Sequence, residues 1–150
     1  MHKLLLSCLT CLLLLAPSAH AQLRDADTAI KHRRAAFTLM STYWGRVISM
    51  VEGKRPFNRT ELIRNIDMAQ IISKLPWEGF TPGSEVGDTR AEAEIWLDED
   101  RFKDYQQRMH EELAVFRQAA LREELPALVK ALEQTRATCN TCHKAFRRDF

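Results

Sequence analysis

Apolar residues recur along most of this chain at steps of three, four and seven, the spacing of a helix that buries one face. From about Asp25 to Val51 the recurring set is Ile30, Phe37, Met40, Trp44, Val47 and Val51. A second segment starts at Asn58, whose side chain can accept from first-turn N–H groups while Glu61 reaches back as in a capping box. Its stripe is Leu62, Ile66, Ala69, Ile72 and Leu75, and Pro76 is expected to end it, because a residue before proline avoids helical angles. A third runs from about Asp98 to Arg122 with Phe102, Tyr105, Met109, Leu113, Phe116 and Ala120 in phase. The fourth begins near Pro126, a residue suited to a first helical turn, and carries Leu128, Leu132, Thr135, Cys139, Cys142, His143 and Phe146. No stretch alternates with the period of a strand. The pattern predicts an all-α four-helix bundle. Short first and third connections make the helices they join antiparallel neighbours, whereas the roughly 20-residue second connection is long for a bundle and is expected to cover something.

The first residues follow a different rule. Met1-His2-Lys3 is a short basic start, Leu4 to Ala16 is leucine-rich, and Ala19-His20-Ala21 is a small-x-small cleavage signal. Residues 1–21 read as a signal peptide, and 22–150 as the single exported domain. The apolar run is shorter than the ~18 residues of a membrane span, and too little apolar sequence precedes Cys8 for a lipoprotein attachment site. Cleavage removes Cys8 and Cys11 and leaves Cys139 and Cys142, with His32, His110 and His143. Two cysteines this close make no disulfide framework. A formal net charge of +2 with both signs interspersed gives no basic field for nucleic acid. Asn58-Arg59-Thr60 matches a glycosylation sequon, but its use as a helix start explains it better.

The chemistry concentrates in Cys139-Asn140-Thr141-Cys142-His143. This spacing lets both thiols form thioethers to the vinyl groups of one haem while the adjacent histidine ligates iron. On a helix these residues stand at i, i+3 and i+4, on one face, which is the apolar stripe of the fourth segment. A thioredoxin-like dithiol would sit at a helix start in a βαβ setting, a disulfide here would close too short a loop to add much stability, and zinc would lack a nearby fourth ligand. Covalent haem is the expected cofactor. Met40, Met50, Met68, Met109, His32 and His110 could each reach the far side of the iron in principle, and pattern and spacing alone do not choose among them.

The run Ala29 to Met40, the loop Leu75-Pro76-Trp77-Glu78-Gly79-Phe80-Thr81-Pro82-Gly83, Glu94-Ile95-Trp96, and Cys139 to Arg147 together resemble cytochrome c′ over nearly the whole mature chain. The position of the haem motif at the end of a fourth helix, together with the first-helix run, narrows the resemblance to that family. Cytochromes c′ are themselves among the standard examples of the up-down-up-down bundle. The resemblance implies such an antiparallel bundle around one haem c held by Cys139 and Cys142. It also implies a pentacoordinate, high-spin iron with His143 as the protein ligand and a small apolar distal pocket open to nitric oxide and carbon monoxide. In low-spin relatives a first-helix methionine fills the sixth position; the matching residue here is Phe37, which has no lone pair and is bulkier than the leucine often found there. Carried over the same way, Arg33 pairs with a haem propionate, Arg147 lies over the proximal face, and Trp77, Phe80, Phe102 and Met109 pack around the ring.

The expected function is therefore a periplasmic, non-enzymatic haem protein that binds nitric oxide and carbon monoxide. Its rival is an electron-transfer cytochrome with a redox partner protein, a role served better by saturated coordination. No Ser/His/Asp, paired-carboxylate or second-metal constellation accompanies the haem to suggest an enzyme. Homodimerisation is common in the family, and neither nucleic acid nor, after cleavage, a membrane is expected as a partner. Lys144, Arg147 and Arg148 read as partners of the helix dipole, and Gly45 as a point of close helix approach.

Overall fold

The structure, a computed structural model, describes residues 25–122 and 124–149; the expected signal peptide lies outside them. Four long helices, α1 (Ala26–Val51), α2 (Arg59–Ile72), α4 (Glu99–Arg122) and α5 (Leu125–Phe146), carry the chain, with one short helix, α3 (Glu94–Leu97), in the long connection. The caps follow the local sequence. Asp25 accepts from the Thr28 N–H at 3.0 Å, and Asn58 Oδ1 from the Glu61 N–H at 2.9 Å. Glu61 does not close the box, because its carboxylate turns to Arg55 at 3.2 Å. α2 stops at Ile72, a turn earlier than the stripe suggests. Leu75 nevertheless keeps right-handed helical angles (φ −82°, ψ −34°), and Pro76 opens a 3-10 turn, Pro76–Gly79, where its missing N–H costs nothing.

One buried cluster fixes the direction of every helix. Val47 and Met50 from the end of α1 meet Leu62 and Ile66 from the start of α2, and Phe116 and Ala120 from the end of α4 meet Leu128 and Leu132 from the start of α5. Ends and starts alternate, so the bundle runs up-down-up-down. Phe116 is fully buried and meets Trp44 edge-on, with centroids 4.9 Å apart. This half of the bundle is closed by ordinary side-chain packing.

The opposite half is built differently. Ala91, Ile95, Phe102 and Phe146 form a second cluster, with Trp77, Phe80, Trp96, Tyr105 and Cys142 against it. The long connection covers this half, and two arginines hold it. Arg33, 3% exposed on α1, reaches into the connection. Arg148 donates to the carbonyls of Ala91 (3.2 Å) and Thr89 (3.3 Å), while an isolated antiparallel bridge joins Ala91 to Arg147. Arg148 thus serves as a clasp for the loop, beyond the dipole role its position suggests. Gly79 allows the 3-10 turn to lie flat on α1: a Cβ there would stand 2.7 Å from the Ala29 carbonyl oxygen and 2.9 Å from Arg33 Cβ. Gly45 shows no such need, since nothing in the chain comes within 4 Å of a Cβ placed on it. No helix among the described residues is long and apolar enough to cross a membrane.

Candidate haem site

Between α1, α4, α5 and the long connection lies a cavity of about 340 Å³. Its α5 wall carries Cys139, Cys142 and His143, which the helical repeat stacks on one face. Its α1 wall carries Arg33, Phe37 and Met40, α4 adds Phe102, Tyr105 and Met109, and the connection adds Trp77, Phe80, Ala91 and Ile95. The cavity therefore gathers all ten residues expected at the site: Cys139, Cys142, His143, Arg33, Phe37, Trp77, Phe80, Phe102, Met109 and Arg147.

The aromatic walls form a continuous set of ring contacts. Phe37 meets Trp77 edge-on at 5.8 Å and Phe80 at 6.4 Å; Trp77 stacks on Phe80 at 6.1 Å, and Phe80 meets Phe102 at 4.9 Å. Each ring is oriented by a neighbour before any ligand is considered. Burial raises the Cys139 thiol above its ordinary pKa, and pushes Cys142 up to about 11 with a further contribution from Cys139. Both are neutral thiols at physiological pH, suited to addition across a vinyl group and poor as free thiolate nucleophiles. The His143 pKa is lowered, first by burial and then by the positive charges of Arg147 and Arg90. A neutral imidazole with a free lone pair is the state that can ligate a metal.

The candidates for the far side of the iron separate cleanly. His32 turns to the Leu75 carbonyl at 2.8 Å and Glu78 at 3.0 Å, and His110 to the Ser73 carbonyl at 3.1 Å, so neither lines the cavity. Met50 is locked in the closed half of the bundle, and Met68 also stands outside the cavity wall. Met40 and Met109 line it.

Arg33 also has a structural role. Arg33 borders the cavity, but its terminal nitrogens are committed to the connection: Nη1 donates to Gly79 O (2.7 Å) and Ser84 Oγ (2.6 Å), and Nη2 to Ser84 O and Thr89 Oγ1 (both 2.6 Å). Its guanidinium also lies over the Phe80 ring at 4.8 Å. With four terminal N–H groups used inside the protein, Arg33 holds the connection against α1 while bordering the cavity. Burial pulls its pKa down to about 10, opposed by Glu85, so it stays charged at neutral pH. Arg33→Met should be destabilising, because it leaves the buried acceptors of Gly79, Ser84 and Thr89 unpaired at roughly 1–3 kcal/mol each; urea denaturation of the holoprotein checks this. The polar rim of Arg34, Thr38, Ser41, Asp88 and Arg90 escaped the sequence reading. Arg34 pairs with Asp88 across 54 residues of chain, a pairing no local pattern announces.

A haem fits these donors. Two thiols and an imidazole share one wall, and the remaining walls are flat aromatic and aliphatic surfaces closed at the edge by polar side chains. Fold and site together define a c-type haem protein built on a four-helix bundle. Comparison with known proteins agrees: the family model described as Cytochrome C' matches residues 28–147. The cytochrome c' of Alcaligenes xylosoxydans xylosoxydans is 35% identical over 85% of this chain and 98% of its own length. The structure of cytochrome c prime from Shewanella frigidimarina aligns with a TM-score of 0.81 at 31% identity, covering 85% of this chain and 99% of that one. A nitric oxide complex of a mutant cytochrome c prime from Alcaligenes xylosoxidans aligns with a TM-score of 0.78 at 34% identity, covering 85% and 99%. The chain belongs to the cytochrome c′ family. It is accordingly a haem protein and not an enzyme, with one haem c attached covalently through Cys139 and Cys142.

Proposed function

We propose that this cytochrome c′ is a periplasmic gas-binding protein in which His143 is the protein ligand of the iron and the space beside Phe37 admits nitric oxide and carbon monoxide. The bound haem supplies an iron with an open position at which a diatomic molecule can bind. The protein's part is to keep that position open and small. One observation carries the reading: Phe37, held by Trp77 and Phe80, presents to the cavity a hydrocarbon ring with no electron pair to donate. Around it Trp77, Phe80, Phe102 and Met109 exclude water, and burial, helped by the charges of Arg147 and Arg90, favours the unprotonated form of His143. The nitric oxide complex among the similar structures supports the same ligand class here. Residues 1–21 supply the export signal for a periplasmic location, and 22–150 the haem domain. A homodimer goes with this reading, supported by Leu39, 51% exposed on the outward side of α1, and by the open space around Gly45.

A second reading, electron transfer with a redox partner, draws on Met40 and Met109, whose thioethers also line the cavity. Absorption spectra of the ferric and ferrous holoprotein, with and without each gas, decide between the two. High-spin spectra, nitric oxide and carbon monoxide adducts, and rejection of bulky imidazole are expected. A low-spin spectrum with tight imidazole binding and no nitric oxide adduct would reverse the order.

A further inference from the structure

A second hollow lies behind the distal wall. Between α2 and α4 an open groove of about 550 Å³ is walled by Ile71, Ser73, His110, Leu113 and Ala114, among others. One ring pair stands between this groove and the haem cavity. His110 lines the groove, Trp77 lines the cavity, and the two rings meet edge-on with centroids 6.0 Å apart. Both hang from one backbone oxygen. The Trp77 indole N–H donates to Ser73 O at 2.6 Å, and His110 Nε2 stands 3.1 Å from the same atom. A carbonyl oxygen only accepts, so His110 carries its proton on Nε2 in this arrangement. On its inner side Trp77 touches Phe37, the ring that borders the gas-binding space and acts as its lid.

We propose that a diatomic gas enters and leaves the distal space through this groove, and that the Trp77–His110 pair is a gate on that route which contributes to the rate together with Phe37. The proposal rests on the gas-binding reading above. The other walls are held more firmly. Phe80 is stacked between Trp77 and the Arg33 guanidinium, Phe102 is only 9% exposed, and the α5 wall is tied to the haem through its cysteines. Trp77 and His110 are only partly buried, and their one polar anchor is the shared Ser73 O, alongside the ring contacts of Trp77 with Phe37, Phe80 and Phe102. The groove offers apolar surface at Ile71, Leu113 and Ala114 beside the polar Asp67, Gln70 and Lys74, whereas the Arg34–Asp88 ion pair stands across the other edge of the cavity. A gate differs from a lid in what it controls. Phe37 acts on the bound gas, whereas a gate on the route changes entry and exit by the same factor and leaves affinity alone.

Flash photolysis of the ferrous carbon monoxide holoprotein tests the route, because the fraction of gas that recombines before escaping reports exit directly. His110→Ala, which removes the outer ring, should lower that geminate fraction and speed bimolecular association several-fold, whereas His110→Phe, which keeps a ring, should stay near wild type. Ala114→Trp fills the groove from an exposed position. It should raise the geminate fraction and slow association several-fold with the equilibrium affinity of wild type. Wild-type kinetics in both His110→Ala and Ala114→Trp, or a slowed Ala114→Trp with altered affinity, would overturn the gate while leaving gas binding intact. Absence of any carbon monoxide adduct in the wild-type protein would overturn the gas-binding reading, and the route with it.

Discussion

Serine in place of both Cys139 and Cys142 is expected to yield a chain from which acid denaturation extracts all haem, whereas the wild-type polypeptide keeps its haem through the same treatment. Each single replacement should leave at most one thioether. His143→Ala should retain the covalent link but lose the proximal ligand, visible as a changed ferrous spectrum. Where no haem occupies the site, much of the protein should also unfold. The apoprotein would lose the apolar contacts a haem makes across a cavity of about 340 Å³, and a typical domain has only roughly 5–15 kcal/mol of stability to lose. The Phe102, Phe146 and Trp77 half of the bundle has no alternative filling, so apoprotein should be molten or unfolded. A well-dispersed NMR spectrum of apoprotein would contradict this, and free haem in acid extracts of the wild type would contradict covalent attachment.

Phe37→Met should turn the haem into a six-coordinate low-spin species and slow gas binding. Phe37 sits in the middle of α1 on the cavity wall, and a thioether there would have reach and a lone pair where the phenyl ring has neither a donor atom nor room for water. Phe37→Ala works in the opposite direction. It removes the ring that Trp77 and Phe80 hold in place, opens the pocket, and should speed carbon monoxide association while keeping the iron high-spin. Wild-type spectra and wild-type carbon monoxide kinetics in both variants would show that Phe37 is not the distal lid. The companion control is Met40→Leu, one turn along on the same wall: a high-spin spectrum in both wild type and variant would remove Met40 as a ligand.

The four long helices were legible because the information for each is local. A 3.6-residue apolar period, an Asn58 cap and a proline near a first turn act within one or two turns of chain, and the structure keeps every one of those elements. The end of α2 departs from its apolar stripe for the converse reason. Pro76 discourages helical angles at Leu75, but the 3-10 turn packs flat on α1 through Gly79, and that tertiary contact decides the local angles.

The haem motif was also legible, because its chemistry depends on residues 139, 142 and 143 sharing a helix face, which the helical repeat alone ensures. By itself, then, the sequence determined the four long helices, the face that carries the haem motif and the residues that attach it. The tertiary structure decided what surrounds that face. Arg33 finds its acceptors 46 to 56 residues away in Gly79, Ser84 and Thr89, Arg148 finds Ala91 57 residues away, and Trp77 meets His110 from another helix. Contacts at such separations leave no periodic trace along the chain. They depend on which acceptors the fold brings within reach of a buried charge, and a guanidinium taken out of water must bond to whatever carbonyl and hydroxyl oxygens stand there.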